Sequence, residues 1–362
     1  MSLPDTFKAA FLDGASNSLK VRDRTPDTVI LAPQEVAIKI SATAINPADW
    51  KLRGFPSFSF GDRLPVVLGS DAAGTIYAKG SDVPTDKFQL GDRVFFQGLY
   101  GDCDSASFQE FARADCRVVG KTPSNISDEE AAGVSLAGIT AAIGLYHSTG
   151  RGLSAPWDHG GLGAQAGKGM ALVVLGGSGS VGQYVLQLAR LSGYERIVAN
   201  ASAAHKLLLG KLGASVALDR QTQNSVEDFI TAIGAGVALD CVYDTIGTPE
   251  TQTLAVAILQ TAQRASNDAS VVCTNPPVEK AVQMGKQEGK RQVEIKGIWA
   301  NGTAAEMRNV SEPFYAHTAE WLKTGDLVPN QPLVIQGGLE AIDKALQTQQ
   351  AGVSGVKVIV KL

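Results

Sequence analysis

Seven consecutive residues near the middle of the chain, Gly176-Gly177-Ser178-Gly179-Ser180-Val181-Gly182, carry its most specific chemistry. An apolar run over 171–175 precedes them and a helix-like run over 183–190 follows, so Gly177, Gly179 and Gly182 satisfy G-x-G-x-x-G in a strand, turn, helix setting. The first of these glycines permits a tight turn, the second lets a pyrophosphate approach the backbone, and the third allows close packing of helix on strand. A helix that starts there offers N–H groups and the positive end of its dipole to phosphate. The segment therefore predicts a dinucleotide site.

The next strand candidate, 196–200, runs into Ala201-Ser202, where a site selective for NAD would carry Asp or Glu for the ribose 2′-hydroxyl. Ser202, His205 and Lys206 stand there instead, and Arg220 follows one strand later. Hydroxyl and cationic donors suit a 2′-phosphate, which predicts NADPH. A plainer reading stays open, in which Lys206 and Arg220 are solvated surface charges and Asp219 pairs with Arg220.

The elements that must position these residues fall into three stretches. From about 8 to 117 the apolar runs are short, rich in Val, Ile and Phe, and punctuated by Pro, Gly and Asp, which reads as a mostly β region. Ser127-Asp128-Glu129-Glu130 has the form of a capping box opening an Ala-rich helix that reaches about His147. Strand-like and helical segments then alternate at 171–175, 181–192, 196–200, 204–212 and 215–218, the order of a parallel α/β sheet. Strands are expected at 239–243, 270–274 and 293–299, with helices at 249–265, 312–324 and 339–350 and a closing strand at 357–361. The expected plan is a β-rich domain over 1–128 and 303–362, interrupted by a nucleotide-binding α/β domain over 129–302.

Composition narrows the function. The 362 residues are 44% hydrophobic and 19% charged, an ordinary globular balance. A net charge of -4 leaves no basic excess for nucleic acid. No run of eighteen apolar residues and no signal-like start appear, so no membrane partner is expected and the chain reads as soluble and cytoplasmic. Four scattered cysteines suit a reducing compartment.

Several motifs together resemble the medium-chain dehydrogenase/reductase superfamily: Asn46-Pro47-Ala48-Asp49-Trp50-Lys51, Pro65-Val66-Val67-Leu68-Gly69-Ser70-Asp71-Ala72-Ala73-Gly74, Gly91-Asp92-Arg93-Val94, Ala137-Gly138-Ile139-Thr140-Ala141, Val353-Ser354-Gly355-Val356-Lys357 and the glycine loop. Leu153-Ser154-Ala155-Pro156-Trp157, Leu218-Asp219-Arg220 and Ile298-Trp299-Ala300-Asn301 are similar to the fungal trans-acting enoyl reductase, or ToxD-like, branch near the quinone oxidoreductases. The resemblance spans nearly the whole chain. It implies a GroES-like catalytic domain built from both chain ends, a Rossmann domain between, and a cofactor cleft where they meet. It further implies NADPH held at its pyrophosphate by Ser178, Gly179, Ser180 and Val181 and at its 2′-phosphate by Ser202, Lys206 and Arg220, although some relatives have Tyr at the position of Arg220. Asn46, Thr140, the Cys273 region and Val353-Ser354 would line the nicotinamide half.

Against zinc-dependent members, Asn46-Pro47 stands where the catalytic Cys would be and Ser70-Asp71 where the Gly-His-Glu run would be. His147, His159, His205 and His317 have no partners at ligand spacing, so no metal is expected. Without a Lewis acid, the fitting reaction is reduction of an alkene conjugated to a carbonyl, with charge building on the carbonyl oxygen. By resemblance to enoyl reductases, Lys51 and Thr140 are the expected catalytic contacts. The alternatives are a solvated loop lysine and a helix hydroxyl bonded to its own turn. The α-carbon's proton donor is unassigned, and residues 55–60, Leu99-Tyr100 and 299–307 are expected to wall the substrate. The partner expected is a small-molecule substrate, free or delivered on an acyl carrier, with the chain a monomer or a homodimer joined near 293–299. Quinone reduction, or NADPH binding with little turnover, are the competing functions.

Overall fold

The computed structural model describes residues 2–14, 18–158 and 161–362. The chain divides into two compact units, one of residues 1–136, 315–325 and 329–362, the other of 137–314 and 326–328. These boundaries fall later in the chain than the expected 128/129 and 302/303. Among the described residues no helix is long and apolar enough to cross a membrane.

The first unit is organised by the long strand Glu35–Ala44. Its Val36, Ile38 and Ile40 are buried in an apolar cluster with Ala72, Ile76, Val94, Phe96 and Val119, the alternating pattern of a strand with one face on a core. Antiparallel partners flank it: Ala72–Lys79, Phe111–Asp115 and, from the far end of the chain, Val356–Lys361. Pairing of Ala42 with Lys361 and Ala44 with Ile359 closes the GroES-like unit from both chain ends. A second sheet of three strands, Leu19–Arg24, Phe7–Leu12 and Val66–Val67, completes it.

Two short helices, Pro47–Gly54 and Pro56–Phe60, interrupt the region expected to be mostly β. The local signal was present: Asn46 caps, Pro47 takes the first helical position, and Asp49 completes a capping box at the third. The helix expected from Ser127 to about His147 is two pieces, Asp128–Ala131 and Ser135–Tyr146. The Ser127–Glu130 capping box forms as read, with the Glu130 N–H donating to Ser127 Oγ at 3.2 Å and Glu130 Oε2 accepting from the Ser127 N–H at 2.8 Å.

The second unit is a six-stranded parallel sheet in the spatial order Val216–Asp219, Arg196–Ala201, Met170–Leu175, Ala238–Asp244, Ala265–Cys273, Glu294–Gly297. Helices connect the strands, so both faces of the sheet are covered. The central strand reads as an unbroken apolar run, Ala-Leu-Val-Val-Leu, with every one of those side chains buried. Strand order reverses between Met170–Leu175 and Ala238–Asp244, which makes the carboxyl ends of these two strands the natural place for a ligand crevice. The fifth strand starts at Ala265, earlier than the expected 270, because the preceding helix stops at Thr261.

Candidate functional site

The glycine loop lies at that switch point. Gly176 adopts a left-handed φ of 82°, so the chain turns sharply off the end of the central strand. A Cβ on Gly182 would lie 2.3 Å from the Gly176 carbonyl oxygen, and one on Gly177 would lie 2.9 Å from Ala199 Cβ. Both positions pack against protein. A Cβ on Gly179 would meet only the Gly176 oxygen, at 3.2 Å, so this residue, the N-cap of helix Ser180–Leu191, faces outward. The Gly176 and Gly177 N–H groups are spent on the Asn200 side chain and carbonyl, each at 2.9 Å, and the Gly179 N–H on Gly176 O at 3.0 Å. Ser178 lies in the loop, and Ser180, Val181 and Gly182 form the first turn of the helix that follows, the kind of N-terminus that can receive an anion.

The edge proposed for the 2′-phosphate is assembled by strand register. Ala201 pairs with Asp219, so Ser202 and Arg220 leave adjacent strands at the same end of the sheet, and the Arg220 N–H donates to Ala201 O at 2.8 Å. Lys206 opens helix Lys206–Leu212 and is exposed, as is Arg220. Asp219 turns its carboxylate to the Gln221 N–H at 3.1 Å and the Thr222 hydroxyl at 3.3 Å. Among the described residues no ion pair joins Asp219 to Arg220, although the two are adjacent in the chain.

Cys273 ends the fifth strand beside Asp244. Its thiol donates to Asn275 O at 3.0 Å, and burial, with the Asp244 carboxyl next, pushes it up to about 12. Such a shift favours the neutral thiol over the nucleophilic thiolate. Thr140 lies nearly buried in helix Ser135–Tyr146, its carbonyl accepting from the Tyr243 hydroxyl at 2.7 Å. Gly144 makes room for this contact, since a Cβ there would sit 2.1 Å from the Tyr243 oxygen.

In the first unit, Asn46 belongs to a buried polar knot. Lys357 Nζ donates to Asn46 Oδ1 at 2.5 Å and lies 3.3 Å from Asp71 Oδ2, which also accepts from Asn46 Nδ2 at 3.3 Å. Asp71 Oδ1 accepts from the Leu136 N–H at 3.1 Å. Asp49 takes the Asn46 N–H at 2.6 Å, and the Ser70 hydroxyl donates to the Tyr100 phenol at 2.6 Å. Asn46, Asp49, Ser70, Asp71 and Lys357 are all at most 4% exposed. Burial pushes Asp49 up to about 7 against the pull of the Asn46 N–H, the Tyr100 phenol and the Lys357 ammonium. It raises Asp71 too, opposed chiefly by Lys357.

Zinc does not fit this donor set. The metal takes thiolate and imidazole in a tetrahedral arrangement, whereas here an amide oxygen and a carboxylate are already engaged by a lysine ammonium. Among the described residues no group of three or more His, Cys, Asp and Glu could hold a metal. His147 is tied to Thr149 Oγ1 and Glu306 O, at 2.8 and 3.1 Å; His159 lies outside the described residues.

Lys51 stands apart from the knot. It is exposed on helix Pro47–Gly54, with Nζ 5.7 Å from the Trp50 ring centroid. The helix itself is pinned, the Trp50 indole donating to Gln349 and Arg53 bonding Asp343 at 2.9 Å. Val353 and Ser354 occupy the exposed turn between helix Ile342–Gln350 and the last strand. Reasoning from the sequence missed the roles of Asp49, Ser70, Asp71, Tyr100 and Lys357 in the knot, and that of Asn200 under the glycine loop.

Residues 32–146 match the alcohol dehydrogenase GroES-like domain, and residues 180–314 match the zinc-binding dehydrogenase domain. Trans-enoyl reductase tndF of Aspergillus flavipes is 30% identical over 91% of this chain and 92% of its own length. Trans-enoyl reductase himH of Aspergillus japonicus is 29% identical over 91% and 90%. In fold, the chain is similar to the CurK enoyl reductase (TM-score 0.74, 21% identical, 99% of each chain) and to a quinone oxidoreductase from Coxiella burnetii (TM-score 0.72, 21% identical, 99% of each). With a GroES-like unit closed from both chain ends, a six-stranded parallel sheet bearing the glycine loop, and relatives matched over nine-tenths of their length, the chain belongs to the medium-chain dehydrogenase/reductase superfamily of oxidoreductases.

Proposed function

We propose that the protein is an NADPH-dependent, zinc-independent reductase of a carbon–carbon double bond conjugated to a ketone or thioester. The observation that supports the cofactor half is the shared sheet edge, where Ser202 and Arg220 leave adjacent strands side by side and the Asp219 carboxylate faces the Gln221 N–H and Thr222 hydroxyl. The trans-enoyl reductases matched over nine-tenths of their length support the substrate half. When bound, the nicotinamide supplies the hydride. The chain's own tasks are to fix the pyrophosphate at Ser178, Gly179, Ser180 and Val181, to hold the 2′-phosphate electrostatically, and to stabilise charge on the substrate carbonyl. For the last task we assign Lys51, whose ammonium is accessible on a pinned helix, with Thr140 as a second polar contact. Asn46, the Cys273 turn and Val353-Ser354 are assigned to the nicotinamide half. The knot's chemistry argues for catalysis without metal, since Lys357 already provides its cation.

The deciding assay is NADPH oxidation, with NADH alongside, against enones, α,β-unsaturated thioesters free and carrier-bound, and quinones. Fast NADPH-selective turnover of an enone or thioester is the expected result. Preference for quinones would replace the substrate assignment, and tight NADPH binding with every acceptor inert would make this a cofactor-binding protein.

A further inference from the structure

Asn200 joins the two parts of the dinucleotide site. It is buried, 5% exposed, near the end of strand Arg196–Ala201. Its Oδ1 accepts the Gly176 N–H and its carbonyl the Gly177 N–H, so one residue satisfies both donors at the start of the glycine loop. Its Nδ2 donates to Asn224 Oδ1 at 2.8 Å. Asn224 ends the turn that begins at Asp219 and carries Arg220. That turn is otherwise held from within: Asp219 O accepts from the Gln223 N–H at 2.7 Å, and the Asp219 carboxylate caps Gln221 and Thr222. Past Asn224, Ser225 caps helix Val226–Ile233.

We propose that Asn200 is a positioning residue that holds the glycine loop and the Arg220 turn in one register, so that preference for a 2′-phosphorylated dinucleotide depends on the Asn200–Asn224 bond. The inference rests on the dinucleotide reading above. A planar amide meets both demands, with one end accepting from a backbone N–H while the other donates to an amide oxygen. An aspartate would keep the first contact but turn a second acceptor toward Asn224 Oδ1 and add negative charge under the phosphates.

The test is equilibrium binding of NADPH and NADH to the wild type and to Asn224→Ala, Asn200→Ala and Asn200→Asp, with thermal unfolding alongside. Asn224 is exposed, so Asn224→Ala tests the link even if the buried substitutions fail to fold. Asn224→Ala is expected to weaken NADPH about fivefold, the scale of one hydrogen bond, and to leave NADH unchanged. Asn200→Ala should weaken both, NADPH more, and Asn200→Asp should weaken NADPH at least as much as Asn200→Ala does. Asn224→Ala moving both cofactors equally, or neither, overturns the proposal while NADPH binding by the wild type preserves the parent reading. A wild type that binds no dinucleotide overturns both.

Discussion

At residues 176–182 the chain handles charge with its backbone, whereas around Asn46 it does so with side chains sealed from water. The loop keeps Gly179 and a helix N-terminus facing outward, so on the proposed reading the charge it meets arrives with the ligand. The knot encloses Asp49, Asp71 and Lys357, pairs Asp71 with the Lys357 ammonium and gives one Asp49 oxygen the Asn46 N–H, while Asp49 Oδ1 is buried without a hydrogen-bond partner among the described residues. The difference teaches where a mutation should register: in cofactor affinity for the loop, in folding stability for the knot.

The largest effect is expected from Lys357→Met. It leaves Asp71 buried without its cation, a change that costs about 3–5 kcal/mol. Urea unfolding should show that loss, and adding Asp71→Asn should recover at least half of it. Equal stability of Lys357→Met and wild type would mean that the knot is not held together by charge.

Gly182→Ala sits on the other side of the comparison. Its Cβ meets backbone at 2.3 Å, with no flexible side chain to yield. Overpacking of this kind costs about 1–3 kcal/mol, and the displaced loop should bind NADPH too weakly to detect by fluorescence titration. Full binding by this variant would show that the loop does not hold the pyrophosphate.

The two regions also differ in how far the sequence revealed them. The glycine loop was legible because strand, turn and helix signals are consecutive, and the Ser127–Glu130 box was legible for the same reason. The sheet edge was half legible: Ser202 and Arg220 could be named, but only the pairing of Ala201 with Asp219 shows that they leave the sheet side by side. The knot was not legible, since Lys357 reaches Asn46 across 311 positions and no local period predicts such a meeting. Asn46-Pro47 also carries a purely local meaning, a helix cap with a proline at the first position, which is legible without any family resemblance.

Lys206→Ala with Arg220→Ala sharpens the comparison within the second unit. Removing two charge-assisted phosphate bonds from an exposed edge should weaken NADPH about 100-fold and NADH less than about threefold. Direct titration of both cofactors checks this, and equal losses would remove the 2′-phosphate assignment. Lys51→Ala should reduce turnover on a competent enone about tenfold with an unchanged thermal transition, because an exposed lysine contributes little to folding. Undiminished turnover would take Lys51 out of the active site.

The smallest effect isolates Asp49 and depends on pH. Its folded pKa, about 7, lies above the ordinary 3.8 because burial disfavours the carboxylate. Below about pH 4 both folded and unfolded chains hold the proton, and Asp49 makes no difference to stability. Between about 4 and 7 the unfolded chain releases the proton while the folded chain keeps it, so rising pH favours unfolding. Above 7 both are ionised, and the folded state carries the full penalty. Asp49→Asn retains an acceptor for the Asn46 N–H but cannot ionise. The stability difference between variant and wild type should therefore shift toward the variant from pH 4.5 to 7.5 and level off beyond, as followed by denaturant midpoints across that range. Parallel pH profiles would place the titrating charge outside the knot, and the contrast between an internally neutralised region and a ligand-neutralised loop would then rest on Lys357 and Asp71 alone.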